Sequence, residues 1–315
     1  MSGRLTAARR RLSRALDREA RAQAVDRRLV ALEQRACTER LGRLVAAAFG
    51  DRIPNHGHRI RTAPPSVSPQ AKASILLGLY ERREIELLRR HLRPELDVIE
   101  AGASLGVTGA VVASQLRAGR RLVAVEANPE LVPELRSNLA AAGGDDRAVA
   151  VHAALAYVPS AAGPEPGRAA FVPGADSVLG SVRNDLAAGE PVEALTLDDL
   201  RRRWAFDRYA LICDIEGGEW ELINQPPGVF VGCEQLFVEL HDRPDEDGSS
   251  ALLRRLTDVH GFVPVARRGP VHYLVLRGTD EHVANGSPAR QRAALVGAAL
   301  GVAALVAWRR FRRRP

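Results

Sequence analysis

Apolar residues recur at helical spacing across 71–92 and stop before Pro94. The pattern then changes to a short apolar run, Leu96–Glu100, that leads into Gly102-Ala-Ser-Leu-Gly106. A helix is predicted at about 107–118, a strand at Arg121–Glu126, a helix at 130–141 ending at Gly143-Gly144, and a strand at Ala148–Ala154. Further on, Leu197–Trp204 reads as helix, Tyr209–Ile215 and Gln235–His241 as strands, and 250–260 as helix. Phe262–Ala266 and His272–Arg277, separated by Arg-Arg-Gly-Pro, read as an antiparallel hairpin. Strands alternating with helices predict an α/β class: a Rossmann-like, doubly wound, mainly parallel sheet closed by that C-terminal hairpin.

Two flanks surround this domain, expected at 71–280. Residues 3–48 read as helix, with an apolar stripe through Leu5, Leu12, Leu16, Leu29, Leu32 and Ala36 that Gln23 and Arg27 interrupt. Residues 1–50 form a basic N-terminal extension, and Pro54, Pro64, Pro65 and Pro69 mark 51–70 as a linker. After a second linker at 281–292, Ala293–Trp308 is uncharged and expected as a hydrophobic helix, followed by a basic tail at 309–315. Sixteen helical residues span about 24 Å, against roughly 30 Å of hydrocarbon in a bilayer. Three placements stay open for it: a tail-anchored span, a helix lying in the interface, and soluble packing. The stretch 159–195 is rich in Gly, Pro and Ser, with strand-like pieces near Phe171 and Val178, and is expected to be a substrate lid.

Charge sharpens this division. The net charge of +7 conceals basic ends and an acidic middle: residues 1–50 hold 12 Arg and 5 acids, 289–315 hold 7 Arg and no acid, and 51–288 hold 26 bases and 33 acids. An acidic catalytic region argues against nucleic acid, and basic ends suit a membrane surface or an acidic partner. The cysteines Cys37, Cys213 and Cys233 form no C-x-x-C pair, which fits a reducing compartment, and the N-terminus has no apolar signal core. A cytoplasmic location is expected, with the C-terminal helix as the candidate anchor. His56-Gly57-His58 is too sparse for a metal site.

The strand-to-helix turn at Glu100–Gly106 is where chemistry first shows. Glycines there permit a tight turn and close approach to the backbone, a feature shared by several nucleotide binders. The acids choose among them. Glu100 suits the ammonium and sulfonium of S-adenosylmethionine and would repel a pyrophosphate. Glu126 ends the next strand, where a carboxylate accepts both ribose hydroxyls of an adenosine. A nicotinamide dehydrogenase is disfavoured because the third glycine of G-x-G-x-x-G is missing.

Glu100-Ala-Gly-Ala-Ser-Leu-Gly106, Glu126-Ala-Asn-Pro129, Thr196-Leu-Asp198, Asp214-Ile-Glu-Gly-Gly-Glu219 and Val238-Glu-Leu-His241 follow one another in order, and Leu79-Tyr-Glu81 precedes them. This set resembles the FkbM family of methyltransferases across about residues 75–277. Ser104 stands where the family has Asn, Ala127 where it has Pro, and Glu100 where it has Asp. The resemblance implies an S-adenosylmethionine-dependent methyltransferase acting on a hydroxyl of a glycan, lipid-linked sugar or secondary metabolite. A non-catalytic, membrane-associated scaffold that keeps the fold is the alternative, which the intact acids Glu100, Glu126 and Asp214 oppose. The cofactor residues implied are Glu100, Gly102, Ala103, Ser104, Gly106, Glu126, Ala127 and Asn128.

Asp214, Glu216 and His241 are the catalytic candidates, at the carboxyl ends of strands where such sheets bind ligands. Asp214 or His241 would take the acceptor proton. Ser177, Ser181, Glu219 and Glu239 are assigned to the acceptor. Asp214, Glu216, Glu239 and His241 have the chemistry to hold a divalent ion, but the resemblance requires none and no metal is expected.

Overall fold

A computed structural model describes residues 28, 30, 31 and 35–279, except 64–66, 145, 158–166, 175–179, 184 and 244–247. Its centre is a seven-stranded sheet in the order β12-β13-β11-β10-β3-β4-β5. The members are β3 (Asp97–Ala101), β4 (Leu122–Glu126), β5 (Ala148–His152), β10 (Tyr209–Cys213), β11 (Cys233–Glu239), β12 (Phe262–Arg268) and β13 (Val271–Leu276). β5, β4, β3, β10 and β11 pair in parallel. β13 is antiparallel to both β11 and β12, so the expected hairpin inserts its second strand between β11 and β12. The chain turns outward in opposite directions from β3 and β10, which places the topological switch point between those two strands.

Alternation along the strands explains the two layers. Ile99 and Ala101, Val123 and Val125, and Tyr209, Leu211 and Cys213 pack on one face. Leu197 and Leu200 of α6 (Leu197–Arg203), Trp220 of α7 (Glu219–Ile223) and Leu252 of α8 (Ser249–Asp258) cover them. Val98, Leu122, Ala124, Ala210 and Ile212 face the other way, against Val112 of α4 (Val107–Gln115) and Leu135 and Leu139 of α5 (Val132–Gly143). Thr196 opens α6 with a reciprocal capping box to Asp199, while Asp198 of the Thr-Leu-Asp motif pairs with Arg201 and Arg202.

The single helix expected over 71–92 is two. α2 (Pro69–Leu77) ends at Gly78, which adopts the left-handed conformation (φ 67°). The chain crosses Leu79–Glu81 and restarts as α3 (Arg82–His91), with Glu81 also left-handed (φ 50°). The helix expected over 3–48 breaks at Cys37–Thr38. Thr38 there caps α1 (Glu39–Phe49), its hydroxyl accepting from Leu41 N at 3.2 Å.

Residues 52–61, assigned to the 51–70 linker because of its prolines, form the hairpin β1 (Arg52–Asn55) and β2 (His58–Arg61), with Pro54 inside β1. Ile53 and Ile60 are buried with Val45, Ile75, Ile85, Leu105 and Val111 in one apolar cluster. Asn138 of α5 fastens that layer to the sheet. Its side chain accepts from Arg61 N (2.6 Å) and donates to Arg61 O (3.1 Å) and Leu105 O (2.8 Å).

Where a lid was expected, a second sheet is found. β6 (Ala154–Leu155), β9 (Glu190–Leu195), β7 (Arg168–Pro173) and β8 (Gly180–Arg183) pair in that order. Val178 lies outside the described residues, as does the expected hydrophobic helix at 293–308. Among the described residues no helix is long and apolar enough to cross a membrane.

Candidate functional site

A cavity of about 320 Å³ opens at the carboxyl ends of β3, β4 and β10, against the second sheet. Six carboxylates line it: Glu81, Glu84, Glu126, Asp214, Glu216 and Glu239. Arg82 and Arg83 are the lining cations. Arg82 is already paired with Glu86 at 3.0 Å. Of the five non-glycine residues with positive φ among those described, Glu81, Ser104 and Glu216 line this cavity. Each such conformation costs on the order of 1–3 kcal/mol, and concentration in one place is a mark of functional sites.

Glu126 is held by its backbone surroundings. Its Oε1 accepts from Asn128 N and its Oε2 from Ser104 N, both at 2.7 Å. Burial raises its pKa, and the Asn128, Ser104 and Ala127 amides hold that rise back. Ser104 takes the left-handed backbone (φ 48°) that aims its N–H at Glu126, and its hydroxyl lies 2.9 Å from Tyr80 Oη. Ala127 and Asn128 line the cavity beside it.

Gly102 also lines the cavity, but a neighbouring turn dictates its size. A Cβ there would stand 1.6 Å from the carbonyl oxygen of Asp214. Gly102 and Ala103 both donate to Val125 O at 3.0 Å, and Asp214 N donates to Ala101 O at 3.0 Å, so the turns after β3 and β10 interlock. Ala103 and Gly106 do not line the cavity. Ala103 packs in the core, and a Cβ on Gly106 would meet Leu135 at 2.6 Å.

Glu100 corrects the sequence reading most clearly. It is 2% exposed, sits under α4 and does not line the cavity. Burial, then Glu81 and Glu126, push its pKa well above the usual carboxylate range. The acids nearer the ligand space are Glu81 and Glu84, which the broken helix delivers. Thr108 N donates to Glu81 Oε2 at 3.0 Å. The Thr108 hydroxyl lies 2.7 Å from Glu81 Oε2 and 3.2 Å from Glu84 Oε2, and its one proton can serve only one of them.

Burial lifts Glu81 from 4.5 to about 7 and Glu84 well above its ordinary value. A carboxyl whose folded pKa is raised binds extra protons in the folded state, so stability falls as pH rises between its two pKa values. For Glu81 that window is 4.5 to about 7. Denaturant titrations of the ligand-free protein should therefore show lower stability at pH 8 than at pH 5.5. Glu81→Gln should recover on the order of 1–3 kcal/mol at the higher pH. Equal stability of variant and wild type at pH 8 would refute this.

On the other side of the cavity, Asp214 ends β10. Burial comes first among the causes that raise its pKa, followed by Glu239 and Glu219. Its Oδ1 is buried and has no hydrogen-bond partner among the described residues. Glu239, at the end of β11, is likewise raised mainly by burial, with His241 and Arg83 opposing.

Glu219, expected at the acceptor, is fully buried and outside the cavity lining. It braces the turn instead: Oε1 accepts from Ile215 N (2.7 Å) and Oε2 from Gly217 N (2.9 Å), and Oε2 lies 3.3 Å from His241 Nδ1. The hydrogen bond to Glu219 leads the causes that lift His241 from 6.5 to about 9. That shift favours the protonated imidazole. Ser181 lies in β8 between two lining residues, Gly180 and Val182, without lining the cavity itself, and Ser177 lies outside the described residues.

Sequence reasoning passed over Tyr80, Glu84, Arg82, Arg83, Phe171 and Val182, all of which line the cavity. The readable signal for the first four was Gly78 within an otherwise helical run, beside the Leu79-Tyr-Glu81 match.

An open α/β sheet whose switch-point cavity is strained, glycine-turned and acidic defines a ligand-binding enzyme fold of the Rossmann-like kind. The model of the Methyltransferase FkbM domain matches residues 100–264, just over half of the chain, and the protein belongs to that family. No curated protein matches the chain. Among solved structures it is similar to a precorrin-6y C5,15-methyltransferase from Geobacter metallireducens GS-15: 18% identity, 69% of this chain and 91% of that one, TM-score 0.35. It is also similar to an O-methyltransferase from Bacillus cereus in complex with SAH, at 14% identity, 75% and 89% coverage and TM-score 0.33. The O-methyltransferase TomG from Streptomyces achromogenes matches at 15% identity, 61% and 78% coverage and TM-score 0.31. Likenesses of that size carry no functional argument.

Proposed function

We propose that this methyltransferase moves the methyl group of S-adenosylmethionine to a hydroxyl of a small-molecule or glycan acceptor, such as a sugar, a lipid-linked sugar or a secondary metabolite. One observation carries the reading: six carboxylates line a single cavity against two arginines, one of them already paired with Glu86, which leaves the cavity an excess of negative charge. S-adenosylmethionine brings two cationic centres, an ammonium and a sulfonium.

The remaining residues fit the same ligand. Each Glu126 oxygen already accepts one backbone N–H and keeps capacity for another donor, which a ribose diol supplies. Ala127, Leu131, Ala153 and Ala154 offer an apolar wall for a base. Glu81 and Glu84 supply negative charge for the cationic end.

When bound, S-adenosylmethionine supplies an electrophilic methyl carbon. The chain's task is then alignment, worth up to about 7–11 kcal/mol, and removal of one proton. Asp214 is placed to receive it. The Asp214 carboxylate would accept the hydroxyl proton as the acceptor oxygen took the methyl group, with S-adenosylhomocysteine as the leaving product. Burial beside other acids strengthens Asp214 as a base relative to an exposed aspartate. Phe171 and Val182 of the second sheet form an apolar wall at which part of an acceptor can lie.

Calorimetric titration with S-adenosylmethionine tests the reading, and absence of binding would sink it. Glu126→Ala removes two charge-assisted contacts, each about 1.5–3 kcal/mol. Affinity should fall by at least about 30-fold, with circular dichroism confirming the fold. Unchanged affinity would remove the ribose assignment.

A further inference from the structure

Asp214, Glu216 and His241 bring one donor atom each within 4.8 Å of one another. His241 Nε2 lies 3.9 Å from Asp214 Oδ1 and 3.6 Å from Glu216 Oε2. Two atoms each about 2.1 Å from one ion stand no more than about 4.2 Å apart, so both edges already suit a shared ion. The third edge is at most 4.8 Å, so a small movement of the exposed Glu216 side chain closes it.

Two further features separate this trio from a plain acidic cluster. The first is a supporting layer. Buried Glu219 holds His241 through Nδ1 at 3.3 Å, which leaves Nε2 directed at the two carboxylates. A carboxylate behind the imidazole is the usual support of a metal-ligating histidine. The same Glu219 accepts from Ile215 N and Gly217 N, and so fixes the loop that carries Asp214 and Glu216. Trp220 Nε1 donates to His241 O at 2.8 Å, anchoring the other arm. The second is Asp214 Oδ1, an inaccessible acceptor atom that receives no hydrogen bond among the described residues and faces His241 Nε2.

We propose that Asp214, Glu216 and His241 bind a divalent cation of the Mn²⁺ type at the acceptor end of the cavity. One imidazole nitrogen with two carboxylates suits a first-row transition ion better than Ca²⁺, which takes oxygen ligands alone. Asp214 and Glu216 line the cavity, so the open positions of the ion face the ligand space. Its role rests on the methyl-transfer reading. A hydroxyl bound to the ion loses its proton more easily, and Asp214, ligating through Oδ1, keeps Oδ2 to take that proton.

The test is Mn²⁺ titration of the full chain, without S-adenosylmethionine, followed by loss of the free-ion electron paramagnetic resonance signal. One saturable site is expected, with imidazole nitrogen coupling in pulsed spectra. His241→Gln should abolish that coupling and weaken binding at least tenfold. Glu219→Gln keeps all three ligands and should weaken it about 10–100-fold through the support alone. Circular dichroism and S-adenosylmethionine titration report whether each variant folds. No saturable binding, or binding without nitrogen coupling, overturns the site. If S-adenosylmethionine binds and Mn²⁺ does not, the site falls and the methyl-transfer reading stands; the reverse result does the opposite.

Discussion

Asp214→Asn should lower methyl-transfer turnover by roughly 10²–10⁴-fold, the range a positioned general base supplies, with a smaller loss of S-adenosylmethionine affinity. The substitution keeps shape and removes the capacity to take a proton together with one of the cavity's six carboxylate charges, so the turnover loss should exceed the affinity loss. Asp214 is the candidate for this role because it ends the strand at the switch point, lines the cavity and has an oxygen without a partner. Glu219 behind the imidazole lifts His241 to about 9, which favours its protonated form and makes it the weaker candidate for a resting base. In the wild type, turnover should rise with pH as Asp214 deprotonates, at a pH above the usual carboxylate range because burial raises it. That limb should vanish in the variant. Steady-state kinetics and calorimetry on the same samples separate the two effects. A turnover loss no larger than the affinity loss would show that Asp214 only binds.

Gly102→Ala should be among the single changes most damaging to stability. The added Cβ would meet the Asp214 carbonyl oxygen at 1.6 Å, and the backbone there has φ +80°. No rotamer relieves a clash with backbone, so the turns after β3 and β10 must separate. We expect a loss above about 4 kcal/mol, at the exceptional end for point mutants. For a domain of this size that is a fall in Tm of roughly 10 °C. Gly217→Ala is the control. Gly217 also has positive φ (+97°), but a Cβ there meets nothing within 4 Å. Only the backbone term remains, about 1–2 kcal/mol. Similar melting of the two variants would show that conformation alone, and not the interlocked turns, decides at Gly102.

The contrast between these glycines explains what the sequence could show. The parallel sheet was legible because Val98-Ile99, Leu122–Val125 and Tyr209–Cys213 are apolar runs buried on both faces, each followed by a helical pattern. The place of the site was legible too, since Glu126 and Asp214 end strands. What each acid faces was not. Glu100 and Glu126 look equivalent as strand-ending acids, yet one packs under α4 and the other opens to the cavity. That difference lies in strand pleat and turn geometry, which one-dimensional spacing does not carry. Glu219 and Glu216 divide similarly, one bracing the loop from inside and the other exposed. The hairpin β1–β2 was hidden because Pro54 falls inside β1 and because part of its packing, against Ile85, Leu105 and Val111, comes from dozens of residues away.

That hairpin has a consequence for how defects in this protein would present. The turn that carries Glu81 leans on Ile75 and Ile85, which share a cluster with Ile53 and Ile60 of the hairpin and with Leu105 of the glycine turn. Asn138 clasps Arg61 and Leu105 together, and α1 crosses α2 so closely that a Cβ on Gly42 would meet Pro69 O at 1.7 Å. The outer layer thus backs the turn that carries Glu81, where we propose that the ligand's cationic end sits. A lesion there, far from any reacting atom, would appear in an assay as lost grip on the ligand before it appeared as lost fold.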